Sequence, residues 1–297
     1  MSGKPLAYLM MALAMLTVGS TVIASKLIGT SMPPFTAAVL RFAVALPILL
    51  LLMRVTGTRM NRPDRHDAAL LLVQALAGST GYTALLIYGT GRTSGTDAGI
   101  ILGTLPAIAA IISFALLRDR ISRSMVFAIA LATAGVAITA MGPRGEGGSF
   151  QGNALVLAAV VCEGLFILLN RRLHVALAPL ALAASMCGLG LVLSLPMAFG
   201  EIARGGLATQ PIALAGAIYY GLVPTVCGFW LWYAGSARAT PAEASLMTSL
   251  APVSAVLLSM LVFGEKLDML RLLGLGLVVA GILMASLRLP GRKSLTS

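Results

Sequence analysis

The segment SGTDAGIILGTLP at residues 94–106 returns 146 positions later as TPAEASLMTSLAP at residues 240–252. The alignment runs without gaps over 94–140 against 240–286. It places Asp97 on Glu243, Ala98 on Ala244, Pro106 on Pro252, Ser113 on Ser259, and the acid–base pair Asp119-Arg120 on Glu265-Lys266. Further along, Leu131 meets Leu277 and Ala134-Gly135 meets Ala280-Gly281. Seven identities in 47 positions are few, but matched prolines and a matched acid–base pair at one spacing mark an internal duplication. The same shift sets Arg92 on Arg238 and, more loosely, Pro33 on Pro179 and Lys26 on Arg172.

Composition says what is duplicated. Of 297 residues, 58% are hydrophobic and 10% charged, with a mean hydropathy of +0.95; soluble domains carry about 25% charged residues. A soluble globular fold is thereby excluded, because water-facing surface of this composition would be one large apolar patch. A bilayer core of about 30 Å needs roughly 20 apolar residues per helix. Polar and proline punctuation divides the chain into ten such segments, at about 5–25, 34–53, 67–88, 96–117, 124–141, 152–170, 179–199, 212–234, 242–263 and 269–288. Pro34, Pro179, Pro211 and Pro241 open spans, where a missing N–H costs nothing. The expectation is an all-α integral membrane protein of ten transmembrane helices in two five-helix repeats, residues 1–145 and 150–290. Five is odd, so the second repeat enters the membrane upside down. Inverted repeats suit secondary transport, since two similar halves can exchange inward-open and outward-open shapes around a midplane site.

The 21 Lys and Arg against 10 Asp and Glu sort by side. With the N-terminus in the cytoplasm, fourteen cations lie inside: Lys4, the Arg54–Arg65 group, Arg118, Arg120, Arg123, Arg171, Arg172, Arg238 and the C-terminal three. Six lie outside, namely Lys26, Arg92, Arg144, Arg204, Lys266 and Arg271. This bias predicts both termini in the cytoplasm of a bacterial-type inner membrane, with the lipid bilayer rather than nucleic acid as the partner. The run 6–24 is expected as a first span, not a cleaved leader. Cys162, Cys187 and Cys227 lie in apolar runs, and His66 and His174 lie apart beside Arg-rich loops, so neither a disulfide framework nor a histidine metal cluster is expected. No phosphate-binding Gly-x-x-x-x-Gly-Lys loop occurs, and no cofactor is expected.

Few charges remain within the membrane. Glu163 falls mid-span in VVCEGLF, where an ionised carboxylate is costly unless it meets water, a cation or a cavity. It is a candidate partner for a substrate ammonium or a carrier of protons for coupling. Arg41, inside the second span, is a candidate for a substrate carboxylate, with snorkelling to the interface as the alternative. Tyr82 shares a face with Gln74 and Gly78 and could wall a pocket; Phe166 lies one turn beyond Glu163. Thr17 and Thr21 share a face of the first span, and Thr17 matches Glu163 under the 146-residue shift. Gly99 and Gly103, answered by Ser245 and Ser249, form small faces that serve either close helix packing or a ligand. Pro106 and Pro252 free carbonyls one turn earlier, at Leu102 and Thr248. Asp97 and Glu243 fit helix-start electrostatics and are not assigned to the site.

The residues that place the chain in a family are Gly19-Ser20 and Lys26, Leu40-Arg41-Phe42, residues 82–106, residues 233–252 and Gly264-Glu265. Over nearly its whole length the chain resembles an EamA-type member of the drug/metabolite transporter superfamily, and more narrowly the YddG-like exporters of aromatic and other neutral amino acids. The resemblance implies a secondary transporter that exports such amino acids by alternating access around a central cavity, as a monomer or homodimer. The alternative within the superfamily is an efflux carrier for drugs or quaternary amines. A membrane enzyme is not expected, because Glu163 stands isolated from any second acid, base or nucleophile in the sequence.

Overall fold

The computed structural model describes residues 4–60, 62–117, 123–141, 149–175, 177–205 and 210–287. Asp119-Arg120, Arg118, Arg144, Arg288, Arg292 and Lys293 lie outside the described residues, as does the side chain of Ser245. Among the described residues every regular element is a helix. In chain order these are α1 Lys4–Ile28, α2 Pro34–Thr56, α3 Arg65–Thr90, α4 in two pieces Gly95–Leu102 and Leu105–Leu117, and α5 Arg123–Met141. The second half repeats the series as α6 Phe150–Asn170, α7 Pro179–Gly205, α8 Pro211–Ser236, α9 in two pieces Pro241–Met247 and Leu250–Phe263, and α10 Met269–Leu287. Among the described residues eight helices are long and apolar enough to cross a membrane, and α4 makes nine if its pieces form one bent span. The ninth expected span is divided, and its 14-residue piece Leu250–Phe263 is too short to cross alone.

The irregularities repeat with the helices. Segment Ala75–Gly81 of α3 and segment Gly221–Gly228 of α8 are π-helical, and their starts are 146 residues apart. Gly78 and Gly81 loosen the first, and Pro224 removes a backbone donor from the second. Both α4 and α9 break two to four residues before a proline. Pro106 and Pro252 cannot donate to Leu102 and Thr248, and the two pieces of α4 meet at 45°.

Each helix packs antiparallel to its own copy where the two meet, so the repeats are inverted. Along α2 and α7, Phe35 lies by Glu201, Phe42 by Gly190 and Leu46 by Gly188. Along α4 and α9, Gly95 faces Ser259, Gly99 faces Ala255 and Gly103 faces Pro252. Between α5 and α10, Gly135 approaches Gly274 while Gly281 approaches Ala128, a pair of contacts that the 146-residue shift turns into each other. A Cβ on Gly135 would stand 2.7 Å from the Gly274 carbonyl, so side chains are absent where the backbones touch. The outward face is apolar: Leu9, Leu13 and Leu16 of α1 and Leu261 of α9 are exposed, as lipid-facing side chains must be.

One end of the bundle is tied by charge. Lys26, at the end of α1, donates to Glu265 Oε1 at 2.6 Å, and Glu265 also accepts from the N–H groups of Gly95 (2.8 Å) and Thr96 (2.7 Å) at the start of α4. Beside it Arg271 of α10 bridges Asp97 at 2.8 Å and Asp268 at 3.2 Å. Asp97 and Glu243 are thus helix-end residues: Glu243 and Thr240 cap each other at the start of α9, and Lys4 and Tyr8 donate to Glu243 at 3.1 and 2.6 Å. Burial opposes ionisation of Glu265, but Lys26, Thr96 and the helix N–H groups outweigh it and hold the carboxyl below its ordinary 4.5. A depressed carboxyl stabilises above its unfolded value and loses that stabilisation as pH falls through its folded value. Glu265→Gln is therefore expected to melt lower than the unsubstituted protein at pH 7, by the equivalent of roughly 1–2 kcal/mol. The gap should close below about pH 4; thermal unfolding across a pH series measures it.

Candidate substrate site

The π-helical segments place the site. In a π turn the backbone carbonyls slip out of register, and side-chain hydroxyls near the turn take up the polar load. Thr83, just past the first turn, donates to the Ser79 carbonyl at 2.6 Å; Thr225, inside the second, donates to the Tyr220 carbonyl at 2.8 Å. Arg41 of α2 reaches into both. Its Nη1 donates to Thr83 at 2.6 Å and its Nε to Thr225 at 3.0 Å, while its guanidinium lies 4.0 Å from the Tyr220 ring centroid and 5.2 Å from that of Phe42. Arg41 therefore points inward, and it links an irregular turn of the first repeat to one of the second.

Glu163 comes from α6. It is enclosed by the surrounding helices but keeps some accessible surface. Arg41 acts on it through charge, and it acts in the same way on Tyr82 and Tyr220, but among the described residues no cation lies within ion-pair distance of it. Arg41 likewise has no carboxylate partner among the described residues. A partly buried cation and a partly buried anion are thus neighbours without touching. Thr21 of α1 lies against both Tyr82 and Tyr220. The Tyr220 hydroxyl and Ser25 Oγ are buried close to each other but not in good hydrogen-bond geometry, and both amide atoms of Gln74, the residue that the repeat shift places on Tyr220, are buried with no hydrogen-bond partner among the described residues. Among the described residues α1 and α6, the equivalent first helices of the two repeats, make little contact along each other.

Of the residues singled out in the sequence, Glu163, Arg41, Tyr82 and Thr21 converge here. Thr17 is buried, donates to the Ala14 carbonyl at 2.7 Å, and occupies the room left by Gly228 in α8. Phe166 packs on the bare backbone of Gly78, at the side of α3. Gly99 and Gly103 stand in a helix contact, not in open space: a Cβ on Gly99 would lie 2.8 Å from that of Ala255, and one on Gly103 would lie 3.0 Å from that of Pro252. Ser249 bonds the Leu246 carbonyl at 2.8 Å at the break in α9. Sequence reasoning missed Tyr220, Thr83, Thr225 and Ser25. The shift that aligns residues 75–81 with 221–227 marked two Gly-containing stretches in mid-span, and the hydroxyls beside them were the available signal.

A model of the EamA-like transporter family matches residues 5–141 and again residues 150–287. The chain belongs to the EamA-like transporter family. This EamA-like transporter is 33% identical over 287 residues to the uncharacterized transporter YetK of Bacillus subtilis, covering 95% of this chain and 87% of that one. It is 27% identical over 267 residues to a probable terminal-alkyne amino-acid exporter of Streptantibioticus cattleyicolor, covering 89% and 86%. A crystal structure with 20% sequence identity superposes with a TM-score of 0.66 over 95% of this chain and 96% of that one, which shows a shared fold. The protein is accordingly a multi-pass membrane transporter with a small-molecule substrate.

Two substitutions probe the geometry. Arg41→Lys keeps the charge but gives up the planar fork that spans Thr83 and Thr225 and the stacking on Tyr220; a loss of about 1–3 kcal/mol of stability is expected, read by thermal unfolding in detergent. Gly99→Leu should destabilise by overpacking, roughly 1–3 kcal/mol, because α9 already fills that space; unchanged melting would place the face against lipid.

Proposed function

We propose that the protein is a secondary transporter exporting neutral amino acids, especially aromatic and other apolar ones, across a bacterial-type inner membrane by alternating access, in the manner of YddG-like exporters. The observation that carries this reading is the separated pair: Arg41 and Glu163 are close enough to interact, yet neither has an ionic partner among the described residues. Charges buried without partners are costly, and a group that bridges them removes the cost. An amino acid brings the complement, a carboxylate for Arg41 and an ammonium for Glu163. Tyr82 and Tyr220 then offer apolar surface to its side chain. The amino-acid substrate named for the Streptantibioticus relative supports the same substrate class.

In this reading the units 1–145 and 150–290 are the two halves that rock, both termini are cytoplasmic, and Glu163 is the group at which a coupled proton would be carried. Four mid-span side chains, Arg41, Thr83, Thr225 and Tyr220, join the halves at the site, so a ligand held there touches both. A quaternary-amine carrier would use Glu163 and the aromatic rings and leave Arg41 idle.

Flux in reconstituted vesicles separates the two. Phenylalanine is expected to outpace 3-phenylpropionate, which lacks the ammonium, and phenethylamine, which lacks the carboxylate, each by at least about tenfold, the worth of roughly 1.4 kcal/mol. Equal transport of the amine would favour the cation carrier. Glu163→Gln should slow phenylalanine flux by about tenfold or more while the protein stays folded, and rates equal to those of the unsubstituted protein would remove Glu163 from the site.

A further inference from the structure

The chain's two histidines, separated by more than a hundred residues in sequence, meet at the end of the bundle that carries Lys4. The first turn of α3 and its cap supply Asp64, His66 and Asp67; the loop between α6 and α7 supplies His174. The sequence suggested no histidine cluster, because the two residues belong to different repeats. Their rings stack, with centroids 4.1 Å apart and planes 13° from parallel. His66 Nδ1 lies 3.2 Å from Asp67 Oδ1, and His174 Nδ1 lies 3.0 Å from Asp64 Oδ2 and 3.9 Å from Asp67 Oδ1. Each of the four side chains offers a donor atom within 4.8 Å of the other three.

The cluster is better supported than a chance pair of surface ion pairs. The Asp67 side chain is only 4% exposed, and its carboxylate is held by the backbone N–H groups of His174 (2.9 Å) and Val175 (3.2 Å). Asp64 Oδ1 accepts from the Asp67 N–H at 2.7 Å as the cap of α3, which turns Oδ2 toward His174. Such outer bonds orient ligands in metal sites. A tetrahedral ion with bonds of about 2.0–2.1 Å sets its donors roughly 3.3 Å apart. The separations of 3.0, 3.2 and 3.9 Å already bracket that spacing. Binding requires the stacked rings to turn apart about the fixed Asp67, for which the 49–59% exposure of the Asp64, His66 and His174 side chains leaves room.

We propose that Asp64, His66, Asp67 and His174 form a binding site for one divalent transition-metal ion of the zinc class, joining the first repeat to the second. Two imidazoles with two carboxylates suit Zn²⁺, Co²⁺ or Ni²⁺ and disfavour Mg²⁺ and Ca²⁺, which require all-oxygen shells. The site belongs to one face of the membrane. The 146-residue shift carries its four members onto Gln210, Ile212, Ala213 and Ile28, where no ligating set exists. Occupancy ties α3 to the α6–α7 loop at its present separation.

The test is metal retention by the full chain in detergent, with any polyhistidine tag removed. After equilibration with Zn²⁺ and dialysis, one ion per chain is expected by mass spectrometry, displaced by Co²⁺ and not by excess Mg²⁺. His66→Ala with His174→Ala should weaken retention by at least about 100-fold. The melting temperature without metal should stay unchanged, since both rings are half exposed. Loss of Zn²⁺ by the unsubstituted protein, or equal retention by the double variant, as by the exposed Cys227, overturns the proposal. The visible spectrum of the Co²⁺-loaded, unsubstituted protein decides independently of any variant: a tetrahedral nitrogen–oxygen band supports the site and its absence refutes it.

Discussion

Inside a bilayer no water is available to an unpaired backbone N–H or C=O, so every such group must be satisfied within the protein. That constraint makes the chain helical nearly throughout, and it also makes each departure from the helix informative. The π turns at Ala75–Gly81 and Gly221–Gly228 and the breaks before Pro106 and Pro252 occur where neighbouring helices cover them; at the π turns Thr83 and Thr225 donate to the carbonyls of Ser79 and Tyr220, and Arg41 donates to both hydroxyls. The irregular backbone and the polar site are therefore one feature. A regular helix at these points would leave Arg41 without acceptors, and without Arg41 the two turns would lose their common link.

The inverted repeat supplies a symmetric frame, and the chemistry lies in its asymmetries. Arg41 has Cys187 as its copy, Glu163 has Thr17, and Tyr82 has Gly228. One repeat thus supplies the cation and an aromatic wall, while the other supplies the anion and, through Gly228, the room for Thr17. The charges at the two ends of the bundle diverge in the same way. Lys26 is locked to Glu265, whereas its copy Arg172 is exposed. Under the proposed alternating access, two equivalent halves would exchange two shapes, with the unequal side chains selecting between them.

Small residues are where sequence and structure divided most clearly. Gly99 and Gly103 read equally well as a ligand face or a packing face, because a missing side chain leaves the same mark in either role. The contact with Ala255 and Pro252 gives them to packing. Tyr220 went unnoticed because a tyrosine within an apolar run carries no mark of what it faces, yet it is among the largest fully buried side chains. The broken α9 was legible only as Pro252, since a proline announces a missing donor without saying whether the helix bends or stops.

Helix positions, the membrane as solvent and the duplication were determined by sequence, because each rests on local composition or on a fixed spacing that survives without coordinates. Glu163 and Arg41 were also visible there, since a charge in an apolar run is conspicuous wherever the run folds. What they face was decided by tertiary structure. Separation along the chain carries no information about contact between helices, so the meeting of Arg41 with Thr225 and of His66 with His174 followed from packing two inverted halves together.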